Sequence, residues 1–210
     1  EAMHGREHED YNDALFARSP IAPKFEAFVL DIFGILKKHT PAHFSLSATI
    51  ALEHFTALLA DSVLTTPELF DGAEAHYANI WRWHAFEETE HKAVAFDVWN
   101  NAMGQGVYAY TARSLGLLAT TIVFWAFVIP VFLNIVKGEG KLTDRSAWKK
   151  AYKYTFGEIG ALRKQLGNYF DYFRPSFHPW DHDNHQSMFA MQDLIYQLVD
   201  ETQAAKRLKS

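Results

Sequence analysis

The amino-acid sequence predicts an all-α fold, a helical bundle, on three observations. Apolar residues recur at helical spacing in the long segments, no segment alternates as a β-strand does, and proline or glycine separates the segments. The chain has 210 residues, of which 49% are hydrophobic, enough for one domain with a sizeable core. We therefore expect residues 1–210 to form a single helical domain.

The predicted helices follow from the positions of proline and glycine. They span residues 1–17, 22–38, 42–64, 68–102, 107–136, about 144–173 and about 184–206. Thr143 or Asp144 is a suitable N-cap for the sixth helix, and Arg174-Pro175 ends it. Residues 176–183 are predicted to form a loop rich in histidine, proline and aspartate.

The fifth predicted helix contains a long uncharged stretch. From Ser114 to Val136 no residue carries a formal charge, and Arg113 and Lys137 bracket this stretch. A helix of that length spans roughly 35 Å, enough to cross a bilayer core. Two interpretations remain open: contact with a membrane through 114–136, or a helix buried in the bundle or in a homodimer interface. We accordingly expect a cytoplasmic protein, or one held peripherally or integrally at the inner membrane of a bacterium.

Composition excludes several classes of function. The formal net charge is −5, from 25 acidic and 20 basic residues, so no broad basic field is available to bind nucleic acid. The chain contains no cysteine, which excludes disulfides, iron–sulfur clusters and thiolate zinc sites. Any metal ion must therefore be held by histidine, aspartate and glutamate.

One carboxylate lies within the third predicted helix, 42–64. Glu53 is the single formally charged residue between Phe44 and Ala60. Burying an unpaired carboxylate costs several kcal/mol even after relaxation, so a buried Glu53 requires a proton, an arginine or a metal ion beside it. The alternative is a partly exposed glutamate on a less buried stripe of the helix.

A mixed cluster of acid and imidazole lies on one face of the predicted 68–102 helix. Steps of four and three residues predict a single core-facing seam of Tyr77, Trp81, His84, Glu88, His91, Ala95 and Val98. Glu88 and His91 are one turn apart, so both side chains can reach one cation. Glu87 is a further candidate ligand or base, whereas Glu90 points away from this face.

The start of the chain repeats this spacing. Glu1-x-x-His4 matches Glu88-x-x-His91, and His8 follows one turn later. Together with Glu53, the two motifs match the ligand pattern of four-helix proteins that bind two metals through carboxylates. In that pattern a further glutamate precedes Glu1, so we expect an N-terminal helix to be missing from the chain.

Three longer motifs resemble a bacterial family described as predicted metal-dependent hydrolases. They are the segments 51–57 (ALEHFTA) and 81–98 (WRWHAFEETEHKAVAFDV), with 174–181 (RPSFHPWD) near the C-terminus. The first eleven residues also resemble that family's Glu-Ala-x-His-x-x-x-His motif. The layout is further similar to the ferritin-like di-iron superfamily, which implies a four-helix bundle with additional long hydrophobic and C-terminal helices.

The resemblance implies a two-metal site. It assigns metal-ligand roles to Glu1, His4, Glu53, Glu88 and His91, and His8 and His84 add two imidazoles to that set. Iron is the expected metal, and manganese and zinc suit the same donors. Glu87 and His84 are the expected catalytic residues, because either can act as a general base.

Three functions follow as hypotheses. The main one is a di-iron oxidase or oxygenase that acts on an apolar or lipid-like substrate. The second is hydrolysis at the same two-metal site, where metal ions activate water and polarise the substrate. The third is a non-catalytic, metal-binding, membrane-associated helical protein.

The C-terminal loop contains a second group of histidines. His178, His182 and His185 alternate with Asp181 and Asp183 at loop rather than helical spacing. We expect a structural turn here, with Asp183 or Asn184 capping the last helix, and a second metal site is the alternative.

Overall fold

The computed structural model describes residues 8–9, 11–13, 15–17 and 22–193, and the regular elements of this part are helices, which confirms the all-α prediction. The helices are α1 (Ala22–His39), α2 (Ala42–Thr65), α3 (Ala75–His91), α4 (Val94–Met103), α5 (Val107–Gly138), α6 (Arg145–Thr155) and α7 (Ala161–Asp171). Short 3-10 turns cover Pro67–Phe70 and Pro179–Asp181. The described residues of the segments 8–17 and 185–193 are also helical.

Helix α2 lies at the centre of the bundle. It packs against α3, α4, α5 and α7, because apolar or small side chains occupy most positions around it. Its buried residues Ile50, Ala51 and Phe55 join a core with Trp99 of α4 and Leu117 of α5. The core continues past α7 into the C-terminal segment, residues 172–185, through Tyr172 and Phe177.

A glycine allows α5 to approach α2 closely. A Cβ atom at Gly116 would collide with the side chain of Ser47, whose hydroxyl donates to the Ala112 carbonyl at 3.0 Å. The hydrogen bond satisfies the buried Ser47 hydroxyl, and the absent side chain at Gly116 leaves room for it. This contact fixes how the long apolar helix crosses the central one.

Two of the predicted helices are interrupted in the structure, so the prediction that each is continuous is wrong. The 68–102 segment begins with the Pro67–Phe70 turn and with Gly72 at φ 77°, and it is interrupted again after His91. The predicted 144–173 helix is broken between Thr155 and Ala161, where Gly160 adopts φ 63°. That left-handed conformation favours glycine and cannot continue a helix. The predicted cap at Asp144 is confirmed, since its carboxylate accepts from the backbone N–H groups of Ser146 and Ala147.

Helix α5 is long and apolar enough to cross a membrane by length and composition. Only 6% of its most apolar 18-residue window is buried, so it is not a core helix within the described part of the chain. Its three buried residues are Ala109, Arg113 and Leu117, all in the first third. Farther along, Ile122 is 71% exposed, and several neighbouring apolar side chains are exposed as well.

Candidate metal site and the C-terminal segment

The described N-terminal residues lie against helix α3 through aromatic contacts. The ring of His8 is 5.1 Å from that of Trp81, and the ring of Tyr11 is 5.6 Å from that of Tyr77, both measured between centroids. Such tilted and edge-on contacts are favourable arrangements for aromatic pairs. They place the N-terminal segment beside the face of α3 that carries the predicted ligands.

His84 lies between a second imidazole and a carboxylate. Its Nδ1 is 3.2 Å from Nε2 of His8, and its Nε2 is 3.5 Å from Oε1 of Glu88. The His84 and Glu88 side chains are 25% and 17% exposed, so water reaches both groups only partly. The spacing of four residues along α3 brings Glu88 to His84, as expected for one helical face.

We refer to His8, His84 and Glu88 together as the His8–His84–Glu88 row. Its donor atoms fit a metal ion in part. Two imidazole nitrogens bound to one zinc-like ion at about 2.0–2.1 Å lie roughly 3.0–3.4 Å apart, which matches the His8–His84 separation. A carboxylate that orients a ligating imidazole through its other nitrogen is the usual supporting contact, and Glu88 occupies that position. Nevertheless, among the described residues no three histidine, aspartate or glutamate side chains converge on one point. The predicted ligands Glu1 and His4 lie outside the described residues.

The remaining predicted site residues occupy different environments. Glu53 and Glu87 are half-buried, which for Glu53 agrees with the alternative of a partly exposed glutamate. His91 and Val98 are exposed, which corrects the prediction of one core-facing seam from Tyr77 to Val98. The break after His91 is the physical reason for Val98, because α4 no longer continues the face of α3. The ligand roles of Glu53 and His91 stay predictions.

Helix α2 also buries His54, a titratable side chain that the sequence patterns did not single out. Its side chain is 5% exposed and lies 4.8 Å from the ring of Tyr172 and 5.4 Å from that of Phe177, between centroids. Burial, with the charge of His182 as a smaller cause, lowers the pKa of His54 to about 3. The signal was present, since His54 follows Ile50 and precedes Leu58 by four residues each.

A small polar cavity adjoins His54. It has a volume of about 20 Å³, room for one water molecule, and its walls include Asp61, Lys92 and His182. In the described part of the chain, Nε2 of His54 has no hydrogen-bond partner. The cavity thus separates the buried imidazole from a cation and a carboxylate.

Two cations from the helices bind the C-terminal segment, residues 172–185. Arg113 is 4% exposed and donates to the carbonyls of Tyr172 and Arg174 at 2.5 and 2.6 Å. Lys92, 3% exposed at the α3–α4 junction, donates to the His182 carbonyl at 2.6 Å and to Asn184 Oδ1 at 2.8 Å. Burial lowers the pKa of Lys92 to about 8. These charge-assisted bonds hold the segment against the bundle.

The three histidines of this segment bind three different aspartates. Each pair joins a ring nitrogen to a carboxylate oxygen: His178 to Asp97 at 3.0 Å, His182 to Asp171 at 3.0 Å, and His185 to Asp183 at 2.7 Å. His178 and Asp181 also form a reciprocal cap around the 3-10 turn. Because the imidazoles diverge, the arrangement favours the structural turn over a second metal site, and Asp183 caps the His185 N–H as expected.

Comparison with known proteins agrees with the resemblance in the sequence. A search of curated proteins and a search of solved structures each gave no significant match. A family model described as "predicted metal-dependent hydrolase" matches residues 1–183, which include α2, α3 and most of the C-terminal segment. Since the match covers most of the 210 residues, the chain belongs to the family of predicted metal-dependent hydrolases.

Proposed function

We propose that this chain is a metal-dependent hydrolase whose reaction takes place beside His8, His84 and Glu88. The observation that carries the proposal is the 3.2 Å separation of two imidazole nitrogens beside a carboxylate, within a chain of this family. The ligand set is completed by Glu1, His4, Glu53 and His91, as the sequence motifs predict. Two metal ions are proposed; iron, manganese and zinc all suit these imidazole and carboxylate donors.

The residues of the row have separate roles in this proposal. A bound metal ion supplies an activated water molecule and polarises the substrate. In this proposal Glu88, predicted from the sequence as a ligand, instead holds the His84 ring in one orientation and fixes which of its nitrogens carries the proton. Glu87, half-buried on the adjacent position of α3, is the general base that takes a proton from the attacking water.

The substrate and the location belong to the same proposal. We propose an apolar or lipid-like substrate, delivered at a membrane surface that α5 contacts through residues 114–136. The exposed apolar side chains of α5 support this contact, as do the basic residues that follow it: Lys137, Lys141, Arg145, Lys149, Lys150 and Lys153. A homodimer that covers the same helix is the alternative, and nucleic acid is not an expected partner.

Metal content and turnover of matched variants test the proposal. His84→Ala and Glu88→Gln should weaken metal binding by about 10- to 100-fold and reduce hydrolysis of a nitrophenyl acyl ester correspondingly. The control is Glu90→Gln, an exposed carboxylate on the same helix. Metal is measured by mass spectrometry of the purified protein, with zinc, manganese and iron each added back to stripped protein.

Two outcomes would count against this function. Unchanged metal content in both His84→Ala and Glu88→Gln would place the metal elsewhere. Turnover that requires O₂ and changes the optical spectrum on anaerobic reduction would assign the oxidase or oxygenase chemistry instead. Ester hydrolysis under strictly anaerobic conditions, restored by zinc or manganese, is the expected result.

A further inference from the structure

An apolar cavity of about 290 Å³ lies between α2, α5 and α7, apart from the His8–His84–Glu88 row. Its lining is almost wholly hydrocarbon and aromatic, contributed by Phe55, Leu58, Leu59, Phe124, Trp125, Phe156, Leu162, Leu166, Tyr169 and Phe170. Phe55 and Phe124 stack at 5.0 Å between centroids, with their planes 11° apart. This volume is about twice that of an apolar cavity that accommodates benzene, and it approaches the range of ligand pockets.

The polar groups of the cavity wall are already bound to other protein groups. Thr121 donates to the Leu117 carbonyl at 2.7 Å, so the Tyr169 hydroxyl, 2.8 Å away, donates to Thr121. Gln165 donates to Asp61 at 2.6 Å and accepts from Asn168 at 2.9 Å. A molecule in the cavity would therefore gain apolar contacts and few hydrogen bonds, which selects a hydrocarbon chain over a polar metabolite.

The entrance of the cavity continues into an exposed apolar surface. Leu59, Leu166 and Phe170 of the lining are 39%, 48% and 63% exposed. On α5, Ile122 and Val123 are 71% and 48% exposed and directly precede the lining residues Phe124 and Trp125. A chain that enters from a lipid layer in contact with α5 would thus stay on apolar surface along its path.

We propose that this cavity binds the hydrocarbon chain of a fatty acid or membrane lipid, with its polar end left at the entrance. The binding itself is independent of the metal. The further step, that this chain belongs to the substrate, rests on the proposed function. The shared chemistry is an acyl chain, and the two sources, free fatty acid and membrane lipid, are distinguished by experiment.

Binding is measured with the fluorescent fatty acid cis-parinaric acid on full-length protein stripped of metal. We expect saturable binding of one probe per chain and energy transfer from Trp125, which decreases in Trp125→Phe without loss of binding. Leu166→Glu, which places a charge on the wall, and Leu162→Trp, which fills the cavity, should each weaken binding at least about tenfold. The control is Leu115→Glu, which changes an exposed apolar residue outside the cavity, 60% exposed against 48% for Leu166.

The controls keep the proposal falsifiable. Circular dichroism establishes that each variant is folded, and Leu162→Trp tests the cavity without adding charge to the surface. Absence of saturable binding, or an equal loss in Leu115→Glu, would overturn the proposal, because the probe would then report only general surface partition. Vesicles with a pyrene-labelled phospholipid provide the second arm: uptake of the labelled chain identifies membrane lipid, and binding of parinaric acid alone identifies free fatty acid.

The same variants separate this proposal from the function proposed above. If Leu166→Glu loses probe binding and also the preference for long-chain over acetyl esters, the cavity holds the substrate chain. Hydrolysis that is lost in Glu88→Gln with probe binding intact supports both proposals independently. Probe binding with no hydrolysis in any metal-loaded form would leave the lipid site standing and remove the hydrolase.

Discussion

The candidate metal site and the C-terminal segment both concentrate histidines, yet they satisfy them in opposite ways. Along α3, His84 faces another imidazole at 3.2 Å, and a single carboxylate lies beside the pair. In the C-terminal segment each of three imidazoles has an aspartate of its own, at 2.7–3.0 Å. In the first arrangement a ring nitrogen faces a second nitrogen, whereas in the other each ring nitrogen is bound to a carboxylate oxygen.

The difference is the reason that the proposed metal site is placed at His84 rather than in the C-terminal segment. Two facing imidazole nitrogens can each offer a lone pair to a cation between them. The neighbouring carboxylate lies within reach of the same cation. In the C-terminal segment each imidazole is paired with its own aspartate. Arg113 and Lys92 hold the turn that carries these pairs, so the pairs serve to position the backbone. The number of histidines therefore does not distinguish the two regions, whereas the nearest partner of each imidazole does.

The largest expected effect tests the structural half of this comparison. Arg113→Met removes two charge-assisted hydrogen bonds and leaves the Tyr172 and Arg174 carbonyls without their donor. At about 1.5–3 kcal/mol for each of the two bonds, the free energy of unfolding should fall by about 3–6 kcal/mol, measured by urea denaturation. Arg145→Met, at an exposed position, is the control. A loss below about 1 kcal/mol would mean that the segment is held by its apolar side chains alone.

A smaller effect should appear as acid sensitivity that originates at His54. The folded pKa of about 3 lies below the ordinary value of 6.5, so between these values the unfolded chain binds a proton that the folded chain does not. Stability is therefore lost as pH falls through 6.5, by about 2 kcal/mol between pH 7 and pH 5. His54→Phe should remove this component from the pH dependence of urea unfolding, and His76→Gln, on the surface, should retain it. Identical slopes in wild type and His54→Phe would contradict the burial of the imidazole.

The smallest effect is expected at an exposed pair. Asp97→Asn weakens the contact with His178, whose partner carboxylate is 59% exposed, so stability should fall by at most about 1 kcal/mol. Metal content should not change, and Asp31→Asn is a matched exposed control. If metal content fell with Asp97→Asn, the C-terminal histidines would be ligands and the comparison would be reversed.

Helical periodicity predicted the long helices well, because a helix depends on residues that are close together in the sequence. The predicted 22–38, 42–64 and 107–136 helices differ from α1, α2 and α5 by one or two residues at their C-terminal ends. The cap at Asp144 was also predictable, since it depends on residues two and three positions away. The break at Gly160 was missed because a glycine inside an amphipathic pattern is compatible with either a helix or a turn.

The site was less predictable because it depends on rotation and on distant contacts. Glu53 and His54 are neighbours in the sequence but lie about 100° apart around the helix, and the histidine faces the core. The exposure of Val98 follows from a break at Lys92, whose partners lie about ninety residues away in the chain. No local pattern contains that information. The spacing of His84 and Glu88, which is local, was predicted and brings them to 3.5 Å.

Among the described residues, helix α5 is buried only near its N-terminal end. Its buried residues end at Leu117, and the helix continues to Gly138, roughly 31 Å farther at 1.5 Å per residue. Within the described part of the chain, the outer part of α5 is only partly covered, by ring contacts such as those of Phe127 with Phe25 and of Phe132 with Trp148. A small displacement of the outer end would become a rotation about the Gly116–Ser47 crossing. A membrane or a partner chain that holds the outer end would therefore act on the neighbouring cavity, whose lining includes Phe124 and Trp125 of this helix.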